Sequence, residues 1–232
     1  MSKKMSFFSR LSEQTAPDRA ALLAAPIIQG TLRGEVSLPS YLAFLTEAYH
    51  HVKHTVPLLM AAGSRLPEDK EWLREAVAEY ISEEVGHQEW ILNDLAACGI
   101  DKEHVRHGRP ALATELMVAY AYDTIQRGNP LGFFGMVHVL EGTSIAIADR
   151  AADAIAEATG LPRKAFTYLR SHGGLDVEHV KFFTGLMDRI TDPVEQDVIL
   201  HAAGVFFHLY GDIFRSLPAL ALSVSTSVEV AA

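Results

Sequence analysis

Apolar side chains recur at three- and four-residue intervals along most of this chain, and that periodicity leaves little room for anything but packed helices. Residues at those spacings lie on one face of a helix, so each segment presents a stripe to be buried. Alternating β-branched runs are scarce and no Asn-Gly hairpin turn occurs, so a sheet would lack both its strands and its turns. Proline, glycine and capping residues cut the pattern into eight predicted helices: 18–32 with Pro26 as a kink, 38–66 with Pro57 inside it, 67–99, 110–127, 131–159, 162–172, 176–190 and 193–216. The third opens on Pro67 and acidic residues and stops at Gly99, as helix ends should. Connections are short apart from the polar stretch Asp101–Arg109, which favours antiparallel neighbours in one bundle. The expectation is an all-α protein, a single compact bundle of seven to eight helices forming one domain over residues 1–232, with its core at about 18–217. Residues 218–232 lack a helical pattern and are expected to be flexible or to serve contacts in a homodimer.

Composition sets the outer bounds. With 232 residues, 49% of them hydrophobic, the chain has ample material for a core. A formal net charge of −9 argues against nucleic acid as a partner, because phosphate binding needs concentrated Lys and Arg. The single cysteine, Cys98, rules out an intramolecular disulfide and a Cys-based zinc cage, and fits a reducing cytosol. The opening residues "MSKKMSFFSRLSEQ" carry no apolar core of a signal peptide, and His, Glu or Gly interrupts each long apolar stretch. A soluble, cytoplasmic protein with no membrane span is expected.

Polar residues break the helical pattern at three places. Glu84 and His87 form an E-x-x-H pair, one turn apart, able to reach a common point; in the charge-rich "SEEVGHQE" they equally read as a solvated face. Glu141 sits in the otherwise apolar "LGFFGMVHVLEGTSIAIA", where a buried carboxylate costs several kcal/mol unless paired, protonated or bound to metal. His138, one turn earlier, is the plain alternative partner. The stretch "SHGGLDVEH" places His172, Asp176 and His179 at spacings of four and three; alone, it reads as a helix stop at Gly173-Gly174 followed by an Asp176 N-cap. Glu47 shares a face with His51 and His54 in "FLTEAYHHVKH". Taken together, Glu84, His87, Glu141, His172, Asp176 and His179 are three imidazoles and three carboxylates on core-forming segments, a set suited to iron or manganese in an open site.

The order of these residues resembles the haem-oxygenase-like di-iron oxidases, within the wider TenA/PqqC-like superfamily of helical bundles. E-x-x-H is followed 54 residues on by a lone Glu and 31 residues beyond that by H-x-x-x-D-x-x-H. The resemblance spans about residues 18–217 and implies that Glu84 and His87, Glu141, and His172, Asp176 and His179 ligate two iron ions, with Glu47 where some members place a further carboxylate. It implies an oxidase or oxygenase using O₂ on a small organic substrate of fatty-acid or amino-acid type. No Gly-rich dinucleotide fingerprint is present, so electrons would come from an external donor. Phe133, Phe134, Phe182, Phe183, Phe206, Phe207 and Tyr210 either wall an apolar pocket or pack the core.

Three other readings share the fold. A TenA-like hydrolase of thiamine metabolism needs a cysteine nucleophile near Glu141, whereas Cys98 lies at the end of another helix. A PqqC-like, metal-free oxidase of quinone chemistry would leave the acid-rich cluster without a purpose. Haem binding through His51 or His54 would leave Glu84, Glu141 and Asp176 unexplained. Beyond these three, a non-enzymatic iron-binding or interaction module on the same bundle stands as a further reading.

Overall fold

The computed structural model describes the backbone of residues 5–174 and 176–230, and the side chains of 5–171 and 180–222. Among the described residues there are thirteen α-helices, three short 3₁₀ turns and no strand. The α-helices are α1 Phe7–Gln14, α2 Ala16–Leu23, α3 Pro26–Leu32, α4 Leu38–Val52, α5 Thr55–Arg65, α6 Glu71–Glu84, α7 His87–Ala97, α8 Lys102–Arg106, α9 Leu112–Gln126, α10 Phe133–Thr159, α11 Thr167–Gly174, α12 Asp176–Arg189 and α13 Pro193–Val230. The all-α class is thus as expected, while the helices outnumber the eight predicted.

The additional breaks have local causes. Pro26 is the first residue of α3 rather than a kink, because in a first turn its missing N–H has no intrahelical partner to lose and its ring meets no upstream carbonyl. Pro57 likewise occupies the third position of α5, and its ring would clash with the carbonyl of Lys53; the predicted helix 38–66 therefore parts at Lys53-His54. The predicted helix 67–99 parts at Val85-Gly86, where Gly86 adopts a φ of +96° that no helix interior contains. Helix α1, which the periodicity reading omitted, is capped by Ser6 accepting from the Ser9 N–H, and buries Phe7 and Leu11. It packs on α12 and α13, with the Phe8 N–H donating to Asp188 at 2.9 Å.

Two apolar cores organise the molecule. One centres on α10 and α13, where Phe134, Phe206 and Phe207 are buried; the other joins α4, α7 and the start of α11 around Tyr41, Leu45, Ile91 and Phe166. Each such Leu, Ile or Phe contributes about 1.5–3 kcal/mol by leaving water. Gly135 lets α10 and α13 approach closely, since a Cβ there would stand 2.6 Å from the backbone nitrogen of Ala203. By length and composition the stretch Pro130–Thr159 could cross a membrane; here half of its apolar window is buried among other helices.

One buried carboxylate sets the entry of α11. Asp94 of α7 is fully buried and accepts from the backbone N–H of Thr167 at 2.9 Å and of Tyr168 at 2.8 Å. It acts as an N-cap supplied by another helix, satisfying donors that the first turn leaves orphaned. Burial pushes its carboxyl pKa up, and those backbone donors pull against the rise.

Candidate metal centre

Between the two cores lies a cavity of about 90 Å³. Glu84, the last residue of α6, and His87, the first of α7, both face it, as does Glu141 from α10. The E-x-x-H pair is therefore not one turn of a continuous helix but the two sides of a glycine-hinged break. The side chains still meet, with His87 Nδ1 3.1 Å from Glu84 Oε2. His87 is buried and its ring stacks on Trp90, with centroids 4.0 Å apart. Glu84 and Glu141 are partly exposed, as carboxylates on a cavity wall rather than inside an apolar core.

His138 does not partner Glu141. Its Nε2 lies 3.2 Å from the hydroxyl of Thr15, which itself donates to the Leu11 carbonyl. Rings of Phe8, Phe183 and Phe207 surround it at about 6 Å. Burial, aided by the charge of Arg19, lowers its pKa to about 4, so the imidazole is neutral at ordinary pH. The neighbour of Glu141 is instead Tyr80, whose phenol pKa is raised by burial, then by the Glu141 carboxylate beside it, and further by Glu83 and Glu84.

The structure separates the polar residues of α4. Glu47 is buried but its carboxylate accepts from the Ala111 N–H at 3.1 and 3.2 Å and from the Thr114 hydroxyl, closing the N-terminus of α9. It is thus committed to a cap and does not line the cavity, contrary to the expectation of a further ligand. Burial raises its pKa against the pull of those two donors. His54 Nδ1 lies 3.1 Å from the Tyr122 hydroxyl, and His50 Nδ1 3.3 Å from Lys53 Nζ. His51 does face the cavity, its ring edge-on to Tyr210.

The lining thus brings together Glu84, His87, Glu141 and His51, with the phenols of Tyr80, Tyr168 and Tyr210. Burial raises the pKa of all three phenols, so each stays a neutral proton donor. His51 was set aside with the haem reading, although its face of α4 was legible. Tyr80 and Tyr168 gave no sequence signal, because a helix's own pattern does not tell which neighbour a tyrosine meets. Of the aromatic set, Phe133 and Tyr210 line the cavity, while Phe134, Phe183, Phe206 and Phe207 are core.

The side chains of His172, Asp176 and His179 lie outside the described residues. The helices that carry them pack nearby, α11 on α7 and α10, and α12 on α10. Among the described residues no three His, Cys, Asp or Glu side chains are grouped tightly enough to hold a metal by themselves. Cys98 caps the far end of α7, outside the cavity lining, with its thiol pKa pushed up to about 11 by burial and then by Asp94.

Comparison with known proteins agrees with the architecture. A domain of unknown function with a haem-oxygenase-like fold from Shewanella denitrificans superposes with a TM-score of 0.80 at 22% identity, covering 93% of each chain. A TenA homologue from Pseudomonas syringae pv. tomato gives 0.76 at 13% identity, covering 94% of this chain and 98% of the other. The haem oxygenase of Leptospira interrogans gives 0.73 at 19% identity, covering 91% and 100%. At these identities the likenesses establish the haem-oxygenase-like fold and no more. No curated protein matches the chain. The family described as "Iron-containing redox enzyme" matches residues 42–211, most of the chain and all of the cavity's described lining. The protein belongs to that family of iron-containing redox enzymes, on a haem-oxygenase-like fold.

Proposed function

We propose that this protein is a non-haem di-iron oxidase or oxygenase that acts on a small organic substrate with O₂ and draws electrons from an external donor. The observation that carries the reading is the convergence of Glu84, His87 and Glu141, from α6, α7 and α10, on one cavity. Their donor chemistry, imidazole nitrogen and carboxylate oxygen, suits iron and also manganese. The proposed ligand set is Glu84, His87 and Glu141 with His172, Asp176 and His179, and His51 is the additional imidazole on the same wall. Iron held there would supply the binding and reduction of O₂ that no side chain of this cavity can perform.

The protein's own groups have definable tasks. The Glu84 carboxylate lies 3.1 Å from His87 Nδ1, and the stack on Trp90 supports the imidazole ring from the side. Tyr80 keeps a proton on its Oη beside Glu141, so a donor stands next to the carboxylate whatever its charge. Tyr168 and Tyr210, likewise neutral, place two more donors at the wall. Two carboxylates on a cavity wall suit cations better than a porphyrin, and the protonated, distant thiol of Cys98 does not suit a nucleophilic hydrolase.

Metal analysis after anaerobic loading with ferrous iron tests the reading. About two irons per chain are expected for the wild type and fewer for Glu84→Gln and Glu141→Gln, with melting temperatures of the metal-free proteins nearly unchanged. Oxygen uptake should then rise above the buffer rate in a parallel screen of fatty acids and amino acids with a chemical reductant. Unaltered iron content in both variants, or uptake at the buffer rate throughout, would remove the proposed site or the proposed reaction respectively.

A further inference from the structure

A second cavity of about 80 Å³ adjoins the first, and the two share one wall built from Ser144, Tyr168 and Tyr210. Ser144 stands one helical turn beyond Glu141 on α10, so the shared wall begins next to a proposed iron ligand. The chemistry changes abruptly across that wall. Ile27, Leu32, Val36, Phe44, Ile147 and Ile155 surface the second cavity, and no Asp, Glu, Lys, Arg or His lines it among the described residues.

The hydroxyls away from the shared wall are already engaged. Thr31 donates to the Ile27 carbonyl, Thr143 to Val139 and Tyr41 to Ala165, while Ser40 pairs with Ser37. A polar or charged ligand would lose its water there without recovering hydrogen bonds, at a cost of a few kcal/mol per group. A hydrocarbon loses nothing of the kind and gains roughly fourfold in affinity for each methylene buried, the equivalent of about 0.8 kcal/mol. The space itself depends on small residues of α10, Ala148 and Ala151, at positions where larger side chains would fill it.

We infer that this second cavity holds the uncharged hydrocarbon part of the substrate, with the reacting end passed across the Ser144, Tyr168 and Tyr210 wall into the metal centre. This selects, from the substrates open to such an enzyme, one with an apolar aliphatic portion and no charge at its far end, and sets aside free amino acids with charged side chains. Ala151 on α10 and Leu32 on α3 then determine the length of chain accepted. The assignment of the hydrocarbon to a substrate rests on the metal-centre reading above; the chamber's preference for hydrocarbon does not.

The test therefore separates the two. Straight-chain primary alcohols from four to ten carbons, neutral and unreactive towards the fold, are titrated calorimetrically into the full-length protein, metal-free and iron-loaded. Affinity should rise about three- to fourfold per methylene and then level off once the chamber is filled. Ala151→Phe should lower the affinity of the longer alcohols at least tenfold and shift the plateau to shorter chains, with iron content unchanged. Leu32→Trp, filling from the α3 side, should do the same, and stands as the independent variant if Ala151→Phe fails to fold. Affinity independent of chain length, or both filled variants binding long alcohols like the wild type, overturns the inference even if iron loads fully. Chain-length dependence with no iron bound would instead uphold the chamber and remove only its connection to the proposed reaction. With the iron-loaded enzyme, straight-chain carboxylates and alcohols should show KM falling with chain length, and Ala151→Phe should move the preferred length downward. An unchanged preference in that variant also overturns it.

Discussion

Gly86 is the point at which one substitution tests how the backbone presents the metal centre. It separates α6 from α7 with a φ of +96°, and a Cβ built there meets no atom within 4 Å. Replacing it with Ala therefore creates no clash, and the whole cost is that of holding an L-residue in the left-handed region, about 1–2 kcal/mol. For a chain of this size each kcal/mol moves the melting temperature by about 2–4 °C, so Gly86→Ala should melt roughly 2–8 °C lower. Gly185 is the matched control, because it lies within α12, has no unusual φ and also faces open space. There Ala restricts the unfolded chain and favours helix, so Gly185→Ala should raise stability by about 0.5–1 kcal/mol. Calorimetric melts of the metal-free proteins measure both signs. The same variants loaded with ferrous iron report on the site, since only Gly86 sets how Glu84 and His87 face each other across the break. Iron content should fall in Gly86→Ala and stay at the wild-type level in Gly185→Ala. A Gly86→Ala protein that melts at or above wild type, as the control should, would show that the left-handed hinge is not what joins the two helices.

Other consequences are equally specific. Glu47→Ala strips the donors at the start of α9 of their acceptor and should cost about 1–3 kcal/mol in thermal melts, while metal analysis shows iron loading intact. His138 has a folded pKa lowered to about 4 against an ordinary value of 6.5, so its contribution to stability is present above pH 6.5 and is lost as pH falls towards 4. Melting curves taken across that range should fall with acidification in the wild type and less steeply in His138→Phe, which keeps the aromatic surroundings and cannot take up a proton. Gly135→Val forces side-chain atoms into the α10–α13 contact, where even a Cβ is only 2.6 Å from Ala203, and should cost several kcal/mol or prevent folding. Its expression and circular dichroism decide the matter; a melting temperature near wild type would mean that the two helices are not in close contact.

Several features were open to reading in one dimension because they depend on neighbours in the chain. Helical content follows from the spacing of apolar residues, and the charge-poor run around Glu141 announced a helix that others must cover. Pro26 and Pro57 were visible as punctuation too, yet as kinks or interruptions rather than first-turn residues, because the clash that proline creates falls four residues upstream. Gly86 within "SEEVGHQE" carried no sign of a positive φ, since glycine is also tolerated inside helices.

What the amino-acid order determined by itself is therefore the class of fold, the faces to be buried and the inventory of metal-binding side chains. Tertiary structure alone decided where those side chains point. Periodicity shows that Glu47, His51, His138 and Glu141 lie on helices with buried faces, but not which helix each face meets. Packing sent Glu47 to the N-terminus of α9, His138 to Thr15 and a ring of phenylalanines, and Asp94 to the start of α11. It brought His51, 33 residues before Glu84 in the chain, and Glu141 to the same cavity as Glu84 and His87. The physical reason is that a buried polar group must find its partner in space, and the nearest satisfying donor, acceptor or cavity is set by how helices distant in sequence dock.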